Sequence, residues 1–459
     1  MVFSSILFLF RFMPIAFIIY YLTPRKYKNF VLFVESLIFY SWGEVRYFPI
    51  MLFSVALDYI ASNMIERNRD SRWKCKLFLL MSVFGNLGML FFFKYTDFVS
   101  ANINALFGTA IPMLNIVLPL GISFYTFQTM SYTIDVYRGT VPAEKNLVDF
   151  SAFVVLFPQL IAGPIVRYTD INHELKTREM NPAQIQSGIE TFILGVGRKV
   201  LLANSIGALW SEVEKMPFTA ISTPLAWLGI LAFALQIYFD FSGYSLMAIG
   251  LGRMLGFEFP ANFNNPYVSK SATEFWRRWH ITLGSWFREY LYIPLGGNRC
   301  GKWRQIFNLL VVWACTGIWH GASWNFLLWG LLFFVLIVLE KNFLLVHLER
   351  HPILSRLYIL PMLLFSWALF AITDFARLGQ FFTAMLTMRG GADWVYYLRN
   401  YGVVLLLGLL FSTTLPDKLA ARFATRSVWV RYLLLGVILV VSVAYLVDAT
   451  YNPFLYFRF

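Results

Sequence analysis

The sequence predicts an all-α, polytopic integral membrane protein, and two observations support that prediction: the composition and the length of the apolar runs. Of the 459 residues, 58% are hydrophobic and only 14% are charged, whereas a soluble globular protein carries about 25% charged residues. Apolar runs follow one another along the chain, several of them long enough to cross a bilayer as a helix. We therefore expect roughly 10–12 transmembrane helices, with re-entrant and cytoplasmic amphipathic helices between them.

Composition also excludes several classes of protein. Disordered chains need many charges, and disulfide-stapled scaffolds need many cysteines. This chain has only three cysteines, Cys75, Cys300 and Cys315, and their positions suggest no bridge, so we expect free thiols. The net charge of +13 is explained by lysines and arginines in cytoplasmic loops, which makes nucleic acid an unsuitable partner.

The apolar runs alternate with short polar segments. They lie at residues 1–22, 30–43, 46–64, 77–94, 113–135, 149–166, 187–211, 224–250, 306–339, 357–373, 401–413 and 432–448. We interpret the first run as a retained span, because Arg11 and Pro14 interrupt it and it lacks a small-residue cleavage site. The run 149–166 contains Pro158 and Pro164, so we expect a re-entrant segment there.

Basic loops predict the orientation of the chain in the membrane. The segments 138–148, 167–186, 253–305, 341–356 and 414–431 are basic or carry several lysines and arginines, which places them in the cytoplasm and the N-terminus outside. This arrangement is consistent if the run 306–339 crosses twice or re-enters. No linker or tandem repeat divides the chain, so we expect one membrane domain over residues 1–459.

His320 is the histidine in the most apolar surroundings. It lies within residues 306–339, which contain no Asp, Glu, Lys or Arg. An ionisable group at membrane depth marks a pathway or a reaction centre, or else is a neutral imidazole hydrogen-bonded between helices, and position alone leaves both open. Gly317 and Gly321 around it have the spacing that favours close helix packing. His173, His347 and His351 lie in polar surroundings, and we expect them to be solvated.

His280 lies in the long cytoplasmic segment. Ser271 and Glu274 form a capping-box pattern, which predicts a helix from Ser271 toward Tyr290. On that helix His280 shares one face with aromatic residues, and the arginines share the other. A core histidine has the same pattern, and the residues alone favour that interpretation.

Charged groups near these histidines have two interpretations. Six basic residues could bind a phosphorylated cytosolic donor, although positive-inside topology and anionic lipids explain them equally well. They are Arg277, Arg278, Arg288, Arg299, Lys302 and Arg304. Asp240 either orients a histidine or pairs with an arginine at the interface, as do Asp58 and Asp135 in similar settings. No metal-ligand spacing, phosphate-binding loop or dinucleotide fingerprint is present in the sequence.

Several segments in order resemble the membrane-bound O-acyltransferase family, in particular its bacterial alginate and peptidoglycan O-acetylation branch. They are SFY at 123–125, DVYR at 135–138, FPQLIAGP at 157–164, YFDFSGYS at 238–245, EFWRRWH at 274–280, YIPLGGNR at 292–299 and WHGA at 319–322. The motif-bearing core spans 119–340. One departure is Leu246, where alginate-type members are expected to carry an aspartate, and this weakens alginate as the substrate.

The resemblance implies an enzyme with a central tunnel. His320 matches the family's catalytic histidine and His280 its second functional histidine, which would position or protonate a thioester leaving group. The resemblance also implies a set of substrate-binding residues, with Asp240 as a supporting residue behind them. The set comprises Trp276, Arg277, Arg278, Trp279, Arg288, Asn298 and Trp319. No tightly bound cofactor or metal is expected.

The predicted reaction moves an acetyl group from cytosolic acetyl-CoA toward an exported polysaccharide, across a bacterial cytoplasmic (inner) membrane. Because the chain shows no outer catalytic domain, we expect a separate extracytoplasmic acetyltransferase as partner, with membrane lipids around the spans. Two alternatives stay open. One is D-alanyl transfer to teichoic acid, and the other is a transporter or channel without acyl chemistry, which would predict inverted repeats.

Overall fold

The structure is a computed structural model that describes residues 1–424, 428–448 and 455. Within that part of the chain the regular structure is helical, without strands. The chain divides into two compact units. The first comprises Met1–Phe192 with Met247–Pro260, and the second comprises Ile193–Leu246 with Ala261–Phe459.

The helices are numbered in chain order. The first eleven are α1 (Met13–Leu22), α2 (Lys28–Glu44), α3 (Phe48–Arg67), α4 (Arg72–Phe107), α5 (Ile122–Arg138), α6 (Leu147–Val155), α7 (Phe157–Leu160), α8 (Tyr168–Thr177), α9 (Pro182–Gly197), α10 (Ser205–Lys215) and α11 (Thr223–Met254). The others are α12 (Ala272–Arg278), α13 (Ile281–Phe287), α14 (Lys302–His320), α15 (Trp324–Leu339), α16 (Leu345–Arg350), α17 (Pro352–Ala371), α18 (Phe375–Leu386), α19 (Asp393–Phe411), α20 (Leu415–Ala424) and α21 (Val428–Asp448).

Eight helical stretches among the described residues are long and apolar enough to cross a membrane. They are Phe48–Arg67, Arg72–Phe107, Pro182–Lys215, Thr223–Met254, Trp324–Arg350, Pro352–Ala371, Asp393–Phe411 and Val428–Asp448. The prediction of an all-α polytopic membrane protein is thus confirmed. The run 149–166 is not one continuous helix, because the chain breaks at Leu156 between α6 and α7.

The first unit buries a polar network between α3, α4 and α5. Asp58 is fully buried, and its carboxylate accepts hydrogen bonds from Asn86 Nδ2 at 2.6 Å, from Thr133 Oγ1 at 2.7 Å and from Ser82 Oγ. Buried polar atoms need such partners, because an unmade hydrogen bond costs desolvation free energy. For Asp58, the expected arginine or histidine partner is replaced by two hydroxyls and an amide.

In the second unit α14 and α15 form the close-packed pair that carries His320. A Cβ atom added at Gly317 would lie 2.4 Å from the Phe326 carbonyl oxygen, and one added at Gly330 would lie 2.3 Å from that of Trp313. Only glycine permits backbones to approach this closely. The helix-packing interpretation of Gly317 is therefore confirmed, and the run 306–339 folds as two helices.

The predicted helix from Ser271 to Tyr290 is wrong in its middle. Ser271 caps α12 as expected, since its Oγ accepts from the Glu274 backbone N–H at 3.1 Å. Helix α12 ends at Arg278, however, and α13 starts at Ile281. His280 lies between them with φ +45°, in the left-handed region that an α-helix cannot contain. The 3.6-residue periodicity continues across this break and so conceals it.

The remaining expectations for cysteines and exposed histidines are confirmed. Cys75, Cys300 and Cys315 are free thiols. His173, His347 and His351 are exposed.

Candidate active site

His320 is the last residue of α14 and is only 4% exposed. Three aromatic rings surround its imidazole. The ring of Trp329 stands edge-on at a centroid distance of 4.9 Å, that of Trp319 lies at 4.9 Å and that of Phe370 at 5.5 Å. The C-terminal end of a helix carries partial negative charge, which can stabilise positive charge that develops on the ring during a reaction. A base placed here would be stabilised at the moment it accepts a proton.

His280 is 1% exposed and is held by Asn262. Nδ1 of His280 lies 3.1 Å from Oδ1 of Asn262, and the same oxygen accepts from Thr282 Oγ1 at 2.9 Å. The Asn262 backbone carbonyl also accepts from the Ile281 N–H at 3.0 Å, and its amide nitrogen donates to Ser245 Oγ at 3.1 Å on α11. Asn262 therefore holds both the ring of His280 and the start of α13.

The contact with Asn262 selects one tautomer of His280. Since Oδ1 can only accept, Nδ1 carries the proton and Nε2 carries the lone pair of the neutral ring. Burial lowers the pKa of His280 to about 3, because the apolar surroundings disfavour the charged form. The ring is therefore neutral near pH 7. This state suits positioning or proton acceptance at Nε2 better than proton donation.

Trp319 packs against both histidines. Its ring centroid lies 6.1 Å from that of His280 and 4.9 Å from that of His320. The Phe241 ring also contacts His280, at a centroid distance of 4.7 Å and perpendicular to the imidazole. The structure thus brings the two predicted histidines together around one indole, although they lie on different elements.

Trp276 and Trp279 extend the aromatic cluster from α12. The Trp276 ring lies 5.4 Å from that of Trp329, which itself contacts His320, and 5.0 Å from that of Trp313. Trp279 is 1% exposed and packs 5.0 Å from Trp367. Both tryptophans belong to the aromatic cluster that includes Trp329, and this position explains the apolar face predicted from the sequence.

Glu340 fixes the start of α12 and was not identified in the sequence. It is fully buried, and its carboxylate accepts from the Ala272 N–H at 2.6 Å, the Thr273 N–H at 2.8 Å and Thr273 Oγ1 at 2.6 Å, and from Tyr358 Oη at 3.1 Å. A carboxylate at a helix N-terminus satisfies unpaired backbone donors and the helix dipole. The only sequence signal is its position directly after the uncharged run 306–339.

The predicted arginines differ in their surroundings. Arg277 and Arg288 are exposed. Arg278 pairs with Glu274 at 2.9 Å and donates to the Asn264 carbonyl at 3.1 Å. The side chain of Arg278 is thus already engaged within α12 and its flanking loop, whereas Arg277 and Arg288 face outward.

Asn298 lines a polar cavity of about 290 Å³. Its Oδ1 accepts from Tyr292 Oη at 2.7 Å and Gln305 Nε2 at 2.6 Å. Two lysines, Lys302 and Lys341, line the same cavity. Ammonium groups and amides around one cavity are suited to an anionic ligand such as a phosphate group.

Asp240 forms a buried ion pair with a lysine. Its Oδ1 lies 2.7 Å from Lys199 Nζ, and the two side chains are 2% and 1% exposed. Lys199 also donates to Asn204 Oδ1 at 2.8 Å, and Asp240 Oδ2 accepts from the Leu455 N–H at 2.8 Å. The partner is thus neither the histidine nor the arginine that the sequence suggested.

The sequence profile of the membrane-bound O-acyltransferase family matches residues 142–382, the part of the chain that contains both histidines. Over its full length the chain is 35% identical to the full length of a probable alginate O-acetylase of Pseudomonas putida. The chain belongs to the membrane-bound O-acyltransferase family. It is an O-acyltransferase, and the resemblance of its motifs to this family is confirmed.

Two further relatives show how far the similarity extends. A probable alginate O-acetylase of Azotobacter vinelandii is 43% identical over 72% of this chain and 66% of that protein. A peptidoglycan O-acetyltransferase of Helicobacter pylori is 35% identical over 72% of this chain and 69% of its own length. This O-acyltransferase is therefore similar to proteins named for two different polymers.

Proposed function

We propose that this O-acyltransferase moves an acetyl group from cytosolic acetyl-CoA toward a hydroxyl group of an exported polysaccharide, either alginate-like or peptidoglycan, in the bacterial cytoplasmic membrane. The observation that carries the proposal is the packing of both His280 and His320 against the Trp319 indole inside a buried aromatic cluster. The choice of an acetyl group and of these two polymers follows the names of two relatives, a probable alginate O-acetylase and a peptidoglycan O-acetyltransferase.

His320 is proposed to act as general base on the accepting hydroxyl, or to assist a covalent relay of the acetyl group. As general base it takes the proton of the hydroxyl that first accepts the acetyl group, while that oxygen forms a bond to the thioester carbonyl carbon and the carbon–sulfur bond breaks. The proton then passes to the departing CoA thiolate, which leaves as the thiol. The C-terminal end of α14 supports the imidazolium in between. The rings of Trp329 and Phe370 exclude water, which would otherwise hydrolyse the thioester.

His280 is proposed to act as a neutral ring near the thioester. With Nδ1 bonded to Asn262, its Nε2 atom can accept a hydrogen bond and so orient a donor group. The low pKa makes the alternative role, protonation of the leaving group, less favourable.

The cavity lined by Asn298, Lys302 and Lys341 is the proposed site of the donor's phosphate groups. Arg277, which is exposed on α12, is proposed to add positive charge near Lys341. Phosphates favour such clustered cations and amide donors. Arg288 is proposed as a further contact on the exposed side.

A separate extracytoplasmic acetyltransferase is the proposed partner that completes transfer to the polymer. The chain itself would then pass the acetyl group through the membrane domain, which we propose to span residues 1–459. Membrane lipids surround its exposed apolar helices.

The experiment uses sealed membrane vesicles that contain the protein and radiolabelled acetyl-CoA, which does not cross membranes. Inside-out vesicles should transfer label to base-labile esters, and right-side-out vesicles should not. In inside-out vesicles a Lys302→Ala/Lys341→Ala variant should raise KM for acetyl-CoA with little change in kcat. His320→Ala should abolish kcat, and the exposed His347→Ala should behave as wild type.

Two results would contradict the proposal. Label transfer in right-side-out vesicles, with acetyl-CoA added outside, would contradict the proposal that the acetyl group enters from the cytoplasmic side. An unchanged KM in the double lysine variant would contradict the proposal that the phosphate groups of acetyl-CoA bind in this cavity.

A further inference from the structure

A second cavity lies in the first unit, whereas His280 and His320 belong to the second unit. It has a volume of about 280 Å³ and lies between the segment Phe8–Leu22 and α2. Its walls are almost entirely apolar, with Ile15, Ala16, Ile19 and Ile38 among them. A cavity of this size holds part of a ligand such as one alkyl chain.

Glu35 is the unexpected member of this lining. It is only 6% exposed, and neither of its carboxyl oxygens has a hydrogen-bond partner among the residues that the structure describes. Asp58, buried in the same unit, is bonded to Ser82, Asn86 and Thr133. Since a buried carboxyl without partners is costly, it indicates a missing polar group rather than a structural role.

The surface around the cavity shows what reaches it. Ile15, Ile19, Ile38 and Trp42 line it and are exposed. In a polytopic membrane protein an exposed apolar surface of this kind faces lipid chains. The cavity therefore opens toward the bilayer, and its ligand arrives from there.

The polar groups of the cavity define the head of that ligand. A neutral carboxylic acid, the form an apolar cavity tolerates, donates one hydrogen bond. Arg11 also lines the cavity and is exposed, and its guanidinium only donates. Two donors beside an apolar wall match a chain-bearing molecule rich in acceptor oxygens, which is the chemistry of a phospholipid with its ester carbonyls and phosphate.

We propose that this cavity is a phospholipid-binding site in which Glu35 donates to an acceptor oxygen of the lipid. One acyl chain lies along Ile15, Ile19 and Ile38, and Arg11 faces the anionic head. The site is separate from the acyl-transfer site, so failure of either proposal leaves the other standing.

The test reconstitutes the purified full-length protein with phosphatidylglycerol that carries a diazirine on one acyl chain. After photolysis, mass spectrometry measures adducts in the peptides of residues 11–19 and 35–42 relative to the exposed helix α21. Wild type should show enrichment at the cavity. Glu35→Leu should reduce it about 2–10-fold, as expected for one hydrogen bond, while Glu35→Gln, which still donates, should retain it.

Matched variants on the same helix separate cavity binding from general lipid contact. Ala16→Phe fills the cavity and should abolish the enrichment, whereas Ile18→Phe, exposed and outside the lining, should leave it unchanged. In detergent without phospholipid, Glu35→Leu should keep or raise Tm, because it removes an unpaired buried polar group. Equal labelling along all lipid-facing helices would overturn the proposal, as would a fall in Tm of Glu35→Leu, since it would give the carboxyl a structural role.

Discussion

Oδ1 of Asn262 lies 3.1 Å from Nδ1 of His280, at a point where the chain leaves helical geometry. His280 adopts a left-handed backbone conformation that costs on the order of 1–3 kcal/mol and persists only where surrounding contacts enforce it. Asn262 supplies those contacts through its side chain and its backbone carbonyl. Asn262 is therefore a positioning residue for His280.

Asn262→Ala should lower the rate of acetyl transfer by about 10²-fold, because a displaced ring no longer meets the substrate correctly. Asn262→Asp should keep more activity but shift the acidic limb of the pH profile upward, since a carboxylate favours the imidazolium. Asn264→Ala is the control, as Asn264 contacts Arg278 through its backbone. An unshifted pH profile in Asn262→Asp would contradict the positioning role.

The low pKa of His280 predicts how stability depends on pH. In the unfolded chain the ring protonates below about pH 6.5, whereas in the folded protein burial holds its pKa at about 3. The unfolded state therefore binds more protons between these values, and stability through this group is lost as the pH falls across that window. The Tm advantage of wild type over His280→Gln in detergent should shrink from pH 7 to pH 4. A constant difference would contradict the buried, neutral state.

Gly317→Ala should separate α14 from α15, because the added Cβ would lie 2.4 Å from the rigid Phe326 carbonyl oxygen. We expect a loss of stability of about 1–3 kcal/mol and a marked loss of transfer through displacement of His320. Gly379→Ala is the matched helical control, since nothing lies within 4 Å of its Cβ position. Thermal unfolding and ester formation measure both effects. A Gly317→Ala variant as active and stable as Gly379→Ala would show that the close approach is unimportant.

Glu340→Ala should leave the first N–H groups of α12 without their acceptor, at a cost of about 1–3 kcal/mol for buried donors. Because α12 carries Trp276 and leads into His280, transfer activity should fall along with Tm. Glu349→Ala, an exposed neighbour, provides the control. Unchanged activity in Glu340→Ala at the permissive temperature would separate the fold of α12 from the reaction.

The ion pair of Lys199 and Asp240 predicts strong coupling between two substitutions. Removing one partner leaves an uncompensated buried charge, which typically costs about 3–5 kcal/mol. Lys199→Met and Asp240→Leu should each lower Tm strongly, and the double variant should recover most of the loss. Additive effects in this cycle would contradict a direct pair, and full activity of the double variant would exclude a substrate role for Asp240.

The sequence predicted the membrane class, the free thiols, the apolar surroundings of His320 and the aromatic face that carries His280, because apolar run length and residue type depend on local composition. It did not predict the break at His280, since the contacts from Asn262 that stabilise it come from another part of the chain. The same reason explains why Glu340 and Lys199 were missed. The α12 residues that Glu340 bonds lie 67 residues or more before it in the sequence. The partner of Lys199, Asp240, lies on another helix.

The most direct test of acyl transfer through His320 is the ester-linked acetate content of exported polysaccharide and peptidoglycan in producing cells. Wild type, His320→Ala and the exposed control His347→Ala should be compared at equal membrane levels. We expect ester to disappear in His320→Ala alone, and the polymer that loses it is the acceptor. Equal ester content in all three strains would contradict the assignment of His320 as the catalytic base.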